Sequence, residues 1–165
     1  MIRLWFVLAW CAIAPLMLPS LAQAADTPPV STGQTVYVPV YSHVLHGNQN
    51  SRGKPESWLL SAMLSIRNTD ADLPIRIRSI RYYDSDGKML RDYTPAQTKL
   101  GPMASAEVFI EQRDETGGAG ANFVVTWDAA QPVDPPLIET VHSYFFGTQS
   151  AIFTSRGQLI RPQNR

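Results

Sequence analysis

His43 and His46 form a His-x-x-His pair ahead of the polar stretch 47–55. Two imidazoles three apart suit copper or zinc if a third ligand joins them, either His142 or a carboxylate. On a helix this spacing puts both rings on one face; beside a strand end it does not, and solvated loop histidines are the competing reading. His142 alternates with Thr140 and Tyr144, a half-buried sheet pattern that points to a structural role. A second grouping is Gly117-Gly118-Ala119-Gly120, with Arg113, Asp114, Glu115 and Asn122 around it. Glycine N–H groups can cradle a phosphate, but phosphate loops run from strand into helix, whereas this one leads into a strand at 122–128. Polar groups crowded on a glycine-rich loop are where a β scaffold keeps a binding site. Arg113, Asp114, Glu115, Gly118, Gly120 and Asn122 are therefore the expected binding edge.

Other constellations have plainer readings. Asp84-Ser85-Asp86-Gly87 begins like a calcium loop, but position twelve is Pro95, which has no side-chain ligand, so a hairpin turn is expected. Arg67, Arg76, Arg78 and Arg81 resemble a basic stripe, with Glu107 and Glu111 as expected cross-strand partners. No G-x-S-x-G elbow occurs, and Ser42 and His43, being adjacent in a strand, point to opposite faces. The residues assemble no nucleophile with its base.

These groups sit on elements with a period of two. Val36, Val38 and Val40 share one face of a first strand, which Pro39 suggests is an edge strand. Leu60 to Ile66 alternate likewise. Ile75 and Ile77 begin a third strand whose phase slips before Ile80 and Tyr82, predicting a bulge near Ser79. Lys88 to Tyr93 is the return strand of a hairpin at Gly87, and 97–100 is a further short candidate. Alternation recurs at 106–111, 122–128, 137–145 and 151–156, and no helical period emerges. The expected fold is an all-β, immunoglobulin-like β-sandwich of about seven or eight mostly antiparallel strands, with a small β-barrel second.

The first 24 residues set the expected compartment. Arg3, the apolar run Leu4 to Leu18 and Ala22-Gln23-Ala24 match the three parts of a cleaved signal peptide. The run is shorter than the ~20 residues that span a bilayer. The expected organisation is a signal peptide at 1–24, a flexible leader at 25–34, a β-sandwich at 35–160 and a tail at 161–165. The one cysteine, Cys11, lies in the signal segment, so the mature domain stands without disulfides or thiolate ligands. Fourteen basic residues balance fourteen acidic ones, which speaks against nucleic-acid binding.

The stretches TVYVPVYSHVLHG (35–47), LSIRNTD (64–70), IRYYDSDGK (80–88), GGAGANFVVTW (117–127) and SRG (155–157) resemble a bacterial family catalogued as domain of unknown function 3124. That resemblance implies a small exported bacterial domain and brings no catalytic residues with it. The functional expectation is a periplasmic or secreted, non-catalytic module that binds an unknown protein or small ligand through its loops. Membrane contact is expected only through the signal peptide. A small copper- or zinc-binding protein using His43 and His46 is the alternative, and a hydrolase using the 113–122 loop is third.

Overall fold

The computed structural model describes residues 29–94 and 99–162. The signal segment and the first four residues of the leader, 25–28, lie outside these residues. Twelve strands follow one another: β1 (Ser31–Pro39), β2 (His43–His46), β3 (Glu56–Leu59), β4 (Ser61–Arg67), β5 (Ile75–Tyr83), β6 (Met89–Asp92), β7 (Lys99–Leu100), β8 (Ser105–Ile110), β9 (Asn122–Val133), β10 (Leu137–Phe146), β11 (Gln149–Arg156) and β12 (Gln158–Pro162). One sheet has the order β12-β1-β9-β5-β6, with β7 also on β5; the other has the order β11-β10-β4-β8. All pairs are antiparallel, and β2 with β3 form a separate hairpin.

The two sheets form a sandwich, because each presents one apolar face that must leave water. Val36, Val38, Ile77, Tyr82, Phe123 and Trp127 come from the larger sheet; Ala62, Leu64, Ile66, Ile110 and Ile138 come from the smaller. Neither sheet closes on itself into a barrel among the described residues. The phase slip in β5 is a bulge: Ile77 faces Trp127 while Ser79 faces Thr126, so Arg78 is the extra residue. The bulge keeps Ile75, Ile77, Ile80 and Tyr82 on the buried face despite their broken alternation.

Three expectations are corrected. β1 is not an edge strand, since β12 pairs outside it; Pro39 is tolerated because it ends β1, beyond Tyr37, the last residue paired to β12. The leader does not extend to residue 34, because Ser31 to Gln34 are strand residues hydrogen-bonded to β9 and β12. The tail does not begin at 161, because Arg161 and Pro162 complete β12 opposite Thr35 and Gln34. Of the candidate strand at 97–100, Lys99–Leu100 forms β7, while Gln97 and Thr98 lie outside the described residues.

Two close approaches hold the layers. Gly157 carries the chain from β11 in one sheet to β12 in the other, and its N–H donates to the Ile138 carbonyl at 2.8 Å. A Cβ there would lie 2.6 Å from Val36 Cγ1, so only glycine fits this crossing. Buried Asn68 donates its amide to the carbonyls of Leu73 (2.9 Å) and Gly101 (2.8 Å), tying two loops at the end of the smaller sheet.

Candidate functional site

The Asp84–Gly87 turn and the glycine-rich loop are each other's partner. Asp84 closes the β5–β6 hairpin, its carboxylate accepting the N–H groups of Asp86 (3.0 Å) and Lys88 (2.8 Å), and Gly87 takes φ +78°. Ser85, at the tip, donates its backbone N–H (3.0 Å) and its hydroxyl (3.1 Å) to the Gly117 carbonyl and accepts the Gly120 N–H (3.0 Å). The Gly118 N–H donates to the Glu115 carbonyl, and its carbonyl accepts the Ser42 N–H. The amides of Gly118 and Gly120 are thus engaged within the protein, whereas an anion cradle needs N–H groups that converge on a ligand. The glycines serve close packing. A Cβ on Gly117 would fall 2.0 Å from Tyr82 Oη, and one on Gly118 2.5 Å from Ser85 Oγ.

The loop fixed in this way presents a polar cleft of about 510 Å³ at the open side of the sandwich, between β6 of one sheet and β8 of the other. Arg91, Tyr93, Phe109, Glu111, Arg113 and Asp114 line it. Arg91 Nη1 donates both to Asp114 Oδ2 (3.0 Å) and to the Tyr93 hydroxyl (3.0 Å), which ties β6 to the loop that follows β8 across the cleft. Asp114, with only 11% of its side chain exposed, also accepts the Thr116 hydroxyl and N–H. Burial opposes its charge, yet the Thr116 bonds and the Arg91 guanidinium outweigh burial and hold its pKa below the ordinary carboxylate value. The Tyr93 hydroxyl and Asp114 raise the Arg91 pKa further. Arg113 pairs with Glu111 at 2.5 Å on the rim, and its guanidinium pKa is also raised by that partner. Phe109 stands 61% exposed among these charges.

Of the expected binding residues, Arg113 and Asp114 line the cleft. Glu115 lies in the exposed turn, Gly118 and Gly120 pack on Ser85, and Asn122 begins β9 between Pro39 and Tyr83. Arg91, Tyr93 and Phe109 carried no expectation from the sequence, and Glu111 was expected only as a cross-strand partner of the arginines. Alternation places Phe109 and Glu111 on one face of β8 and the turn after it, but the meeting of that edge with β6 is a contact between sheets that no local pattern encodes.

The histidines are placed apart in function. His43 and His46 both lie in β2, three residues apart, and therefore project to opposite faces. The His46 ring packs on Trp58 at 4.3 Å, Trp58 stacks on Tyr144 at 4.7 Å, and His46 Nε2 is 3.9 Å from Glu56. His142 is fully buried rather than half-buried, stacked on Phe153, with Nε2 accepting the Tyr41 N–H at 3.1 Å. Burial lowers its pKa to about 4; the nearby Phe153 backbone pulls weakly the other way without forming a well-aligned bond to Nδ1. Among the described residues no three His, Cys, Asp or Glu side chains gather at metal-binding range. The basic stripe also resolves differently from expectation. Arg76 and Arg78 both pair with Asp128 on β9, at 3.0 and 2.6 Å, because Glu107 and Glu111 belong to the other sheet and the turn after it.

A family model for a protein of unknown function (DUF3124) matches residues 33–160. The chain belongs to this family. In this DUF3124 protein, the segments 35–47, 80–88 and 117–127 that carried the resemblance meet where Ser42, Ser85 and Gly117–Gly120 interlock. No curated protein matches the chain. The crystal structure of Thermotoga maritima 1070 is similar over 79% of this chain and 97% of that one, at 11% identity and a TM-score of 0.42, too remote a likeness to bear on function.

Proposed function

We propose that the protein is an exported, non-catalytic binding module whose recognition site is the cleft between β6 and β8. The observation that carries this reading is the state of the charged groups there. Asp114 is held ionised and Arg91 protonated by each other and by Thr116 and Tyr93. Proton transfer at neutral pH favours a group poised near that pH, whereas fixed charges favour recognition. The partner that fits is an extended polypeptide segment. β8 ends its sheet, so its outer backbone edge has no strand partner among the described residues, and Arg113 and Glu111 offer charges of both signs beside it. Export rests on Arg3, Leu4 to Leu18 and Ala22-Gln23-Ala24.

A photoreactive phenylalanine analogue at Tyr93, with a control at exposed Arg52, tests this in the producing cells. The expected result is a discrete adduct from position 93 that is weakened by Arg113→Glu, on a protein whose N-terminus is Ala25. Equal adducts from both positions, none from 93, or an intact N-terminus would overturn the corresponding part of the proposal.

A further inference from the structure

The outer face of the smaller sheet carries a pattern of apolar and charged groups with no use inside the molecule. The residues pointing away from the core align in rows across β11, β10, β4 and β8. One row reads Thr154, Val141, Met63, Phe109; the next reads Arg156, Glu139, Ser65, Glu107. Phe109, Ile152 and Phe145 on this face are 61%, 63% and 64% exposed. Phe109 lies in the first of these rows with Val141 and Met63, and Ile152 and Phe145 in the two rows on its other side; exposed apolar side chains gathered on one sheet face mark a contact surface. Beside it, Arg156, Glu139 and Glu107 make no ion pair within 4.0 Å among the described residues, although Arg156 and Glu139 are register partners.

We propose that this face docks on the same face of a second copy, about a two-fold axis parallel to the strands and midway between β10 and β4. Such an axis exchanges the strand order and keeps the rows. β11 then lies over β8 of the other copy, and β10 over its β4. Arg156 of each copy meets Glu107 of the other, Val141 meets Met63, and Phe109 lies against the β11 side chains Thr154 and Ile152. The face is therefore self-complementary in charge as well as apolar, which an isologous interface requires. Aligned sheets pack within about 30° of each other, which leaves these rows in contact near the axis. A partner of uniform charge would meet Arg156 or Glu107 with the wrong sign, and a membrane surface would meet two buried acids.

The pair can be tested without ambiguity because Arg156 and Glu107 stand on opposite edges of their own sheet. Three strand spacings, about 14 Å, separate them, so they cannot compensate within one molecule. Sedimentation equilibrium of the form that the cells accumulate should show a monomer–dimer equilibrium in a series reaching about 1 mM. Glu107→Arg and Arg156→Glu should each weaken dimerisation about a hundredfold, since each places two like-charge contacts at the interface, and the double variant should recover most of that loss. Circular dichroism of each variant checks the fold, and Ser105→Lys, at the margin of the face, serves as a charge-change control expected to move the constant little. A protein that is monomeric throughout, a dimer indifferent to both single changes, or a double variant no better than the singles would overturn the proposal. None of these outcomes depends on the cleft, whose test reads position 93 on the inner side of the edge.

Discussion

Replacing Gly117 with alanine separates a packing role for the glycine-rich loop from a ligand-cradling one. The new methyl carbon would lie 2.0 Å from Tyr82 Oη and 2.8 Å from both Tyr82 Cζ and Ala121 Cβ. Real contacts of this kind need well over 3 Å, so something must move. Tyr82 cannot move easily, being wholly buried with its ring against Phe123 at 5.0 Å. Overpacking of this type costs about 1–3 kcal/mol, and a clash this deep against a fixed ring belongs at the upper end, about 3 kcal/mol. That corresponds to a fall of about 10 °C in Tm for a domain of this size. The Tyr82 hydroxyl makes no well-formed hydrogen bond among the described residues: Ser42 Oγ lies near enough to act on it but out of bonding geometry. Tyr82→Phe alone should therefore stay within about 1 kcal/mol of the parent. It should also relieve the shortest contact in the double variant, giving a favourable coupling of about 1–2 kcal/mol, with rescue incomplete because the 2.8 Å contacts remain. Urea unfolding followed by tryptophan fluorescence suits the measurement, since Trp127 is fully buried in the same sheet. If Gly117→Ala is tolerated, or the two changes are additive within about 0.5 kcal/mol, the steric account of this loop is wrong and an anion-binding role regains force.

Three further outcomes are expected from the buried and strained groups elsewhere in the domain. His142, with a folded pKa of about 4 against an ordinary 6.5, binds its proton more weakly folded than unfolded; stability should fall as pH drops between those values, by at most about 3 kcal/mol, and urea titrations at pH 5 and 7.5 should show the difference shrinking in His142→Phe. At Asp128, burial raises the pKa, but the bonds from Arg76 and Arg78 outweigh it and set the pKa below the ordinary carboxylate value. Its contribution is then present above that ordinary value and fades as pH falls through the folded one; because both arginines are about half exposed, Asp128→Asn should cost only about 1 kcal/mol at pH 7 in the same assay. Met103 has φ +57° at the third position of a turn in which the Ala104 N–H reaches the Gly101 carbonyl, a place suited to glycine, so Met103→Gly should raise stability by up to about 1 kcal/mol in thermal unfolding.

Most of the sandwich was legible because burial imposes a period of two. The alternations at Val36–Val40, Leu60–Ile66 and Phe123–Trp127 all mark core faces, and the misphased Ile77–Ile80 step located the bulge to within a residue. What escaped were elements without that signal. Every residue of β12 is exposed, so Gln158–Pro162 shows no alternation, and without it nothing offset the edge reading that Pro39 suggested for β1. The β2–β3 hairpin is only four residues per strand, so His43 and His46 read as loop residues when β2 in fact sets them on opposite faces. The site was half legible for a similar reason. Arg113 and Asp114 stood out by composition, whereas Arg91 and Tyr93 reach them only because β6 and β8 end their sheets on the same side of the sandwich.

That shared side is the strongest argument that the cleft is where the protein meets something else. The sandwich has two flanks, and on one of them the chain itself passes from β11 to β12 through Gly157, binding the sheets together. On the other flank, β6 and β8 both leave an edge unpaired among the described residues, and an unpaired edge is an aggregation hazard unless it is blunted. Here the blunting is done by charged groups that the proposed recognition would also use: the Arg91–Asp114 ion pair across the gap and the Arg113–Glu111 pair on its rim. Lysines or a proline on β8 would protect the edge more simply, yet Ser105–Ile110 contains neither. A pairable edge kept beside fixed charges of both signs suits one chosen segment and repels mismatched ones, the combination that specificity requires.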